Sequence, residues 1–113
     1  MLPRSPKLLE DIRDAAAFIR DVSTGKDLVD YGADRLLRQA IERNFEIIGE
    51  AIKRLALYDS ETAARIDDYR QIIAFRNVLI HGYDLVDHEL VWGTIESQIP
   101  TLLRDVDALL ASG

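Results

Sequence analysis

Apolar residues recur along this chain at spacings of three and four, and nowhere at the alternation of a strand. Leu8, Ile12, Ala15, Ala16 and Ile19 share one face of a first helix, expected from about Ser5 to Val22. Ser5 before Pro6 suits an N-cap followed by proline at the first helical position, and Ser23-Thr24-Gly25 closes the segment. Lys26 to Tyr31 reads as a short connection. A second helix is expected from about Gly32 to Leu57. Its apolar set is wide: Leu36, Leu37, Ala40, Ile41, Phe45, Ile47, Ile48, Ala51, Ile52 and Leu55. One neighbour cannot cover so much girth, so this helix is central in its bundle or shared with another chain. A third is expected from about Ser60 to Ile80, capped by Asp59 or Ser60. A fourth runs from near Asp87 to about Ala111, with Trp92, Ile95, Ile99, Leu102, Val106 and Leu109 on its stripe. Pro100 should kink or break it. Short connections favour antiparallel neighbours, hence an all-α, up-and-down four-helix bundle in a single domain spanning residues 1–113.

Polar residues on the apolar stripes carry the chemistry. Ile66, Tyr69, Ile73, Arg76 and Ile80 follow each other at 3, 4, 3 and 4. Arg76 therefore stands where a core or partner contact is expected. A guanidinium cannot shed its proton to escape desolvation, so it needs an anion beside it. Either an acid of the second helix, Glu46 or Glu50, pairs with it, or a ligand anion does. Asn44 interrupts the seam between Ile41 and Ile48, where a polar residue fixes register or is satisfied locally. His81-Gly82 reads in two compatible ways. Gly82 can be the left-handed residue ending the helix, with His81 on the negative end of its dipole. His81 can also be an exposed general acid–base. Arg with His is what RNA cleavage without a metal needs: imidazole moves protons, and guanidinium steadies the phosphate charge. One of each is a thin site, and two copies meeting across a two-fold axis would enrich it. Pattern alone leaves Asn77 a solvated or capping amide, Tyr83 a loop aromatic, His88 solvated and Trp92 in the core. Asp105 and Asp107 read as a solvated face.

Composition narrows the classes. The chain has 48% apolar and 30% charged residues, no cysteine and a net charge of −6. Disulfides and thiolate chemistry are out. Broad nucleic-acid binding is disfavoured, although a small site of converging Arg and Lys is not. Two histidines seven apart among scattered acids make no metal set, and isolated glycines make no phosphate loop. No apolar run suits a signal peptide or a membrane span, so the expected location is the cytoplasm.

The run Arg76-Asn77-Val78-Leu79-Ile80-His81-Gly82-Tyr83 resembles the signature of the HEPN superfamily. The stretch from Ala40 to Ala51, ending Gly49-Glu50-Ala51, resembles the long helix of the small HepT-like toxins of bacterial HepT–MntA toxin–antitoxin pairs. The resemblance covers nearly the whole chain. It implies a homodimeric HEPN helical bundle with the two signatures juxtaposed. It implies a metal-independent ribonuclease without cofactor, cutting tRNA or mRNA and leaving a cyclic phosphate. Arg76 and His81 match the catalytic pair, and Asn77 the polar helper that orients the substrate. Tyr83 matches the tyrosine to which a partner minimal nucleotidyltransferase, the antitoxin, transfers AMP. That modification would set bulk and negative charge beside Arg76 and His81. The alternative is a non-catalytic module that binds such a nucleotidyltransferase, or a nucleotide, without cutting. A plain helical scaffold with Arg76 in an internal ion pair is the third reading.

Overall fold

The computed structural model describes residues 1–82, 84 and 86–112. Among these residues the chain is all-helical, in six helices: α1 (Ser5–Ser23), α2 (Leu28–Ala33), α3 (Arg35–Tyr58), α4 (Ser60–Ala63), α5 (Tyr69–His81) and α6 (His88–Ser112). Four long helices stand where the apolar periodicity places them, and two short ones mark its breaks. α3 is the centre: α1 packs along it, α5 leans on it from another side, and α6 closes the bundle against α1. Leu9, Ile12, Ile19, Ile41, Phe45, Ile48, Ile52, Leu55, Ile99 and Leu102 fill the interior. Removing such side chains from water is the main favourable term holding the bundle together.

The expected second helix, Gly32 to Leu57, is two helices. Asp34 leaves helical geometry (φ −116°, ψ 95°), and its carboxylate accepts from Leu37 N at 3.0 Å to cap α3. Lys26 to Tyr31 is therefore not plain connection. Asp27 and Asp30 form a reciprocal capping box that starts α2. The apolar width of α3 is only partly covered, and Leu36 is 80% exposed.

The expected third helix also divides. α4 is one turn, and α5 begins only after Asp68 adopts a left-handed conformation at φ 55°, which Asp tolerates better than most residues. Ile66 is buried in this break, so it belongs to the core without continuing the stripe of α5.

α6 runs through Pro100 without a break. Pro100 and Glu96, whose carbonyl loses its donor, both face solvent, so the missing bond costs little there. Ser5 is not the cap of α1. It is the first helical residue, buried, and its hydroxyl donates to Asp59 Oδ2 at 2.6 Å. Asp59 Oδ2 also accepts from Leu2 N at 2.9 Å and Thr62 Oγ1 at 2.7 Å, while Thr62 N donates to Oδ1 at 3.3 Å. These donors hold the Asp59 carboxyl well below the usual carboxylate range. One side chain thus clamps the chain's first residues to the α3–α4 junction. Asp105 is no solvated acid either: it accepts from Asp67 N at 2.9 Å and ties the α4–α5 break to α6.

Candidate functional site

α5 crosses α3 at Gly49. A Cβ on residue 49 would lie 2.6 Å from Arg76 Cγ and nearer still to Arg76 Cβ. Gly49 is thus the socket for the stem of Arg76. Phe75 packs edge-on against Phe45 of α3, with ring centroids 5.0 Å apart, and fixes the same crossing. With its stem seated, Arg76 extends its guanidinium to Glu50, Nη2 to Oε2 at 3.2 Å, and the side chain is 21% exposed. Nη1 donates to Asn77 Oδ1 at 3.0 Å. Glu50 Oε1 accepts from Arg54 Nε at 3.0 Å, so one carboxylate holds two arginines. Of the two acids expected for Arg76, the structure selects Glu50. Glu46 pairs with Arg43 instead, at 3.3 Å.

Arg76 borders a cavity of about 240 Å³ whose polar wall also includes Asp11, Arg43, Glu46, Glu50 and Arg54. Three cations and three carboxylates balance there. A guanidinium has five N–H donors. The Glu50 pair and the Asn77 bond leave part of that capacity unspent, and Nε is buried without a partner among the described residues.

His81 is the last residue of α5 and is exposed. Gly82 N donates to Val78 O at 2.9 Å, but φ at Gly82 is −113°. The left-handed termination expected of this glycine is not what ends the helix. His81 lies five positions after Arg76, about 140° around a helix and about 7.5 Å along it. Within one chain Arg76 turns towards α3 while His81 faces solvent at the helix end. The structure joins Arg76 to Asn77, and His81 stands one turn beyond Asn77 on the same exposed side of α5. Tyr83 lies outside the described residues.

The other sequence candidates fall into structural roles. Asn44 Nδ2 donates to Ala40 O at 2.8 Å in its own helix. Trp92 is buried and lies against Tyr31, with ring centroids 5.6 Å apart. His88, expected to be merely solvated, stands edge-on to Tyr31 at 5.8 Å. Among the described residues, no three His or carboxylate side chains converge as metal donors. Pattern reading missed the socket role of Gly49. The available signal was a residue without a side chain on the buried stripe between Phe45 and Ile52.

Comparison with known proteins sets these residues in a family. The family described as Ribonuclease HepT-like matches residues 12–109. A protein of Caldanaerobacter subterraneus subsp. tengcongensis, provisionally named an RNase, is 33% identical over 102 residues, covering 90% of either chain. A protein of Thermococcus cleftensis named Probable ribonuclease HepT is 33% identical over 94 residues, 83% of this chain and 84% of its own. One from Methanocaldococcus jannaschii, also provisionally named an RNase, is 27% identical over 100 residues, 88% of this chain and 87% of its own. No solved structure matches the chain. With its all-helical fold and its match over most of its length, the chain belongs to the HepT-like ribonuclease family, of the HEPN type.

Proposed function

We propose that the protein is a metal-independent endoribonuclease and the toxin of a toxin–antitoxin pair. It cuts RNA with Arg76 and His81 as a homodimer. The observation that carries this is a half-buried arginine with donors in reserve, on the same short helix as a solvent-facing histidine. Arg76 grips the scissile phosphate and steadies the charge that builds on it. His81 takes the proton of the 2′-hydroxyl, whose oxygen attacks phosphorus and closes a cyclic phosphate. The departing 5′-oxygen takes a proton from an imidazolium, which the partner's His81 supplies. Asn77 orients Arg76 through its amide oxygen and turns its NH₂ to the substrate. AMP transferred to Tyr83 by a minimal nucleotidyltransferase partner would place negative charge beside this pair and repel RNA.

A second reading has its own support. Glu50 already occupies Arg76, and the chain carries −6. On that reading the protein binds a nucleotidyltransferase without cutting RNA. Total tRNA incubated in EDTA with the wild type and with His81→Ala separates the two. Wild-type cleavage that His81→Ala abolishes, with dimerisation unchanged in sedimentation, is the expected result. Cleavage retained by His81→Ala would refute the role given to His81, and no cleavage by either would favour the binding module.

A further inference from the structure

A second cavity opens beside the Arg76 cavity, sharing Leu8 and Arg54 with it. It measures about 720 Å³, and its walls include Arg4, Lys7, Arg54, Leu57 and Tyr58. Three cations line it and no acid does, in a chain whose net charge is −6. Lys7 pairs with Asp11 at 2.6 Å and Arg54 with Glu50 at 3.0 Å, and both acids stand in the Arg76 cavity. Arg4 enters no ion pair among the described residues. Its guanidinium lies 5.9 Å from the centroid of the Tyr58 ring.

This site is built rather than incidental. Leu2 N and Ser5 Oγ, on either side of Arg4, both donate to Asp59, the residue after Tyr58. Arg4 N donates to the Tyr58 hydroxyl at 3.1 Å. Leu57, 81% exposed, adds an apolar ledge beside the cations. Guanidinium planes, aromatic rings and cations in one groove are what single-stranded RNA uses for its bases and phosphates.

We infer that this cavity is a subsite for single-stranded RNA flanking the bond that is cut. Tyr58 with Arg4, and Leu57, take a base, while Arg4, Lys7 and Arg54 take phosphate. From Glu50 to Tyr58 is about 12 Å along α3, so an RNA longer than a single nucleotide is needed to reach both this cavity and Arg76. The subsite rests on the ribonuclease reading for its purpose, but RNA binding at it is measurable without cleavage.

The test uses the full-length protein and a fluorescein-labelled 12-nucleotide single-stranded RNA of mixed sequence. Arg4→Glu/Lys7→Glu is compared with Arg13→Glu/Arg20→Glu, an equal charge change farther along α1 and outside the cavity wall. Anisotropy should show the first double variant binding about tenfold or more weakly than the second. The slope of its log affinity against log salt should fall by about 1–2, at about 0.7 per phosphate contact. In tRNA cleavage its KM should rise with kcat unchanged, and Arg4→Lys/Lys7→Arg should restore both readouts. Leu57→Glu adds a carboxylate at the cavity without touching the Asp59 clamp and should weaken binding likewise. Equal binding by the two double variants overturns the inference. So does a shift of Arg4→Glu/Lys7→Glu from dimer to monomer in sedimentation, which would make this face a contact between copies. Wild type that cuts tRNA while the variant's KM stays unchanged removes the subsite alone. Wild type that neither binds nor cuts RNA removes the ribonuclease reading as well.

Discussion

Gly49→Ala puts the tightest demand on the α3–α5 crossing. The added methyl would stand 2.6 Å from Arg76 Cγ, where carbon atoms in contact prefer about 3.5–4.0 Å. Arg76 Cβ blocks it as well, and that atom is fixed to the backbone of α5. The clash is relieved only if α5 lifts from α3 by about 1 Å. Overpacking of this kind costs about 1–3 kcal/mol. Alanine inside a helix returns about 1 kcal/mol relative to glycine. The net loss of stability is therefore small, about 0–2 kcal/mol, and the variant should fold.

Function should suffer far more. α5 leans chiefly on α3, so lifting it carries Arg76 away from Glu50 and shifts the whole signature. A misplacement of about 1 Å costs a positioned reaction on the order of 100-fold. The expected result is a fall in tRNA cleavage of about 10- to 100-fold at a denaturation midpoint close to wild type. A variant that is clearly stabilised and cuts RNA at the wild-type rate would refute the socket, because propensity alone would then govern position 49. A loss of activity that tracks unfolding would refute the positioning argument while leaving the clash intact.

Two further predictions concern carboxylates with opposite shifts. The Asp59 carboxyl lies below its ordinary value in the folded state, because Leu2, Ser5 and Thr62 donate to it. Its contribution is fully present above the unfolded value, near pH 4, and is lost as pH falls further through the folded one. Asp59→Asn should lower the thermal midpoint at pH 7 and flatten its fall below about pH 4; a variant that keeps the wild-type acid profile would show that the clamp adds nothing. Glu42 is the reverse case: burial raises its pKa, Arg38 and His88 oppose this in part, and the buried Tyr31 beside it is raised by burial and by Glu42. Ionised Glu42 thus works against folding at neutral pH, so Glu42→Gln should stabilise at pH 7 and be neutral below the unfolded value, with an unchanged melting curve at pH 7 as the refuting result.

The long helices and the central place of α3 were legible because burial writes a three-and-four period into the chain. The ion pair of Arg76 was legible for a related reason: a cation on that period needs an acid, and Glu50 stands on the facing helix. The divisions at Asp34 and Asp68 were not, because buried apolar residues stand on both sides of each. Tyr31 and Leu37 bracket the first, and Ile66 and Ile72 the second, all buried. At Asp34 a cap signal was present, an aspartate three residues before Leu37, but the wide stripe of α3 masked it. The clamp at Asp59 joins groups 57 and 54 positions away, which no local pattern encodes. Gly49 carries no side chain to set a period, and its meaning comes from the residue laid against it.

Arg76 read as two things from sequence, half of an internal ion pair or a grip on a ligand anion; the geometry shows the first and leaves donors for the second. A guanidinium held by Glu50 is placed, and with Asn77 on Nη1 it keeps donors for a second anion. Glu50 in turn ties Arg76 to Arg54, and Arg54 belongs to both cavities. That carboxylate therefore links the residue proposed to hold the scissile phosphate to Arg54, one of the three cations proposed to hold its neighbours. His81 stands outside this linkage, turned to solvent about 140° around α5 from Arg76. His81 of the same helix approaches a phosphate on Arg76 from one side, which leaves the opposite side to the partner's histidine. In the proposed homodimer a second copy's α5 would lie against the first, bringing each histidine to the other chain's arginine, and Val78 and Ile80, 46% and 36% exposed on that helix, are the apolar residues such a contact would cover.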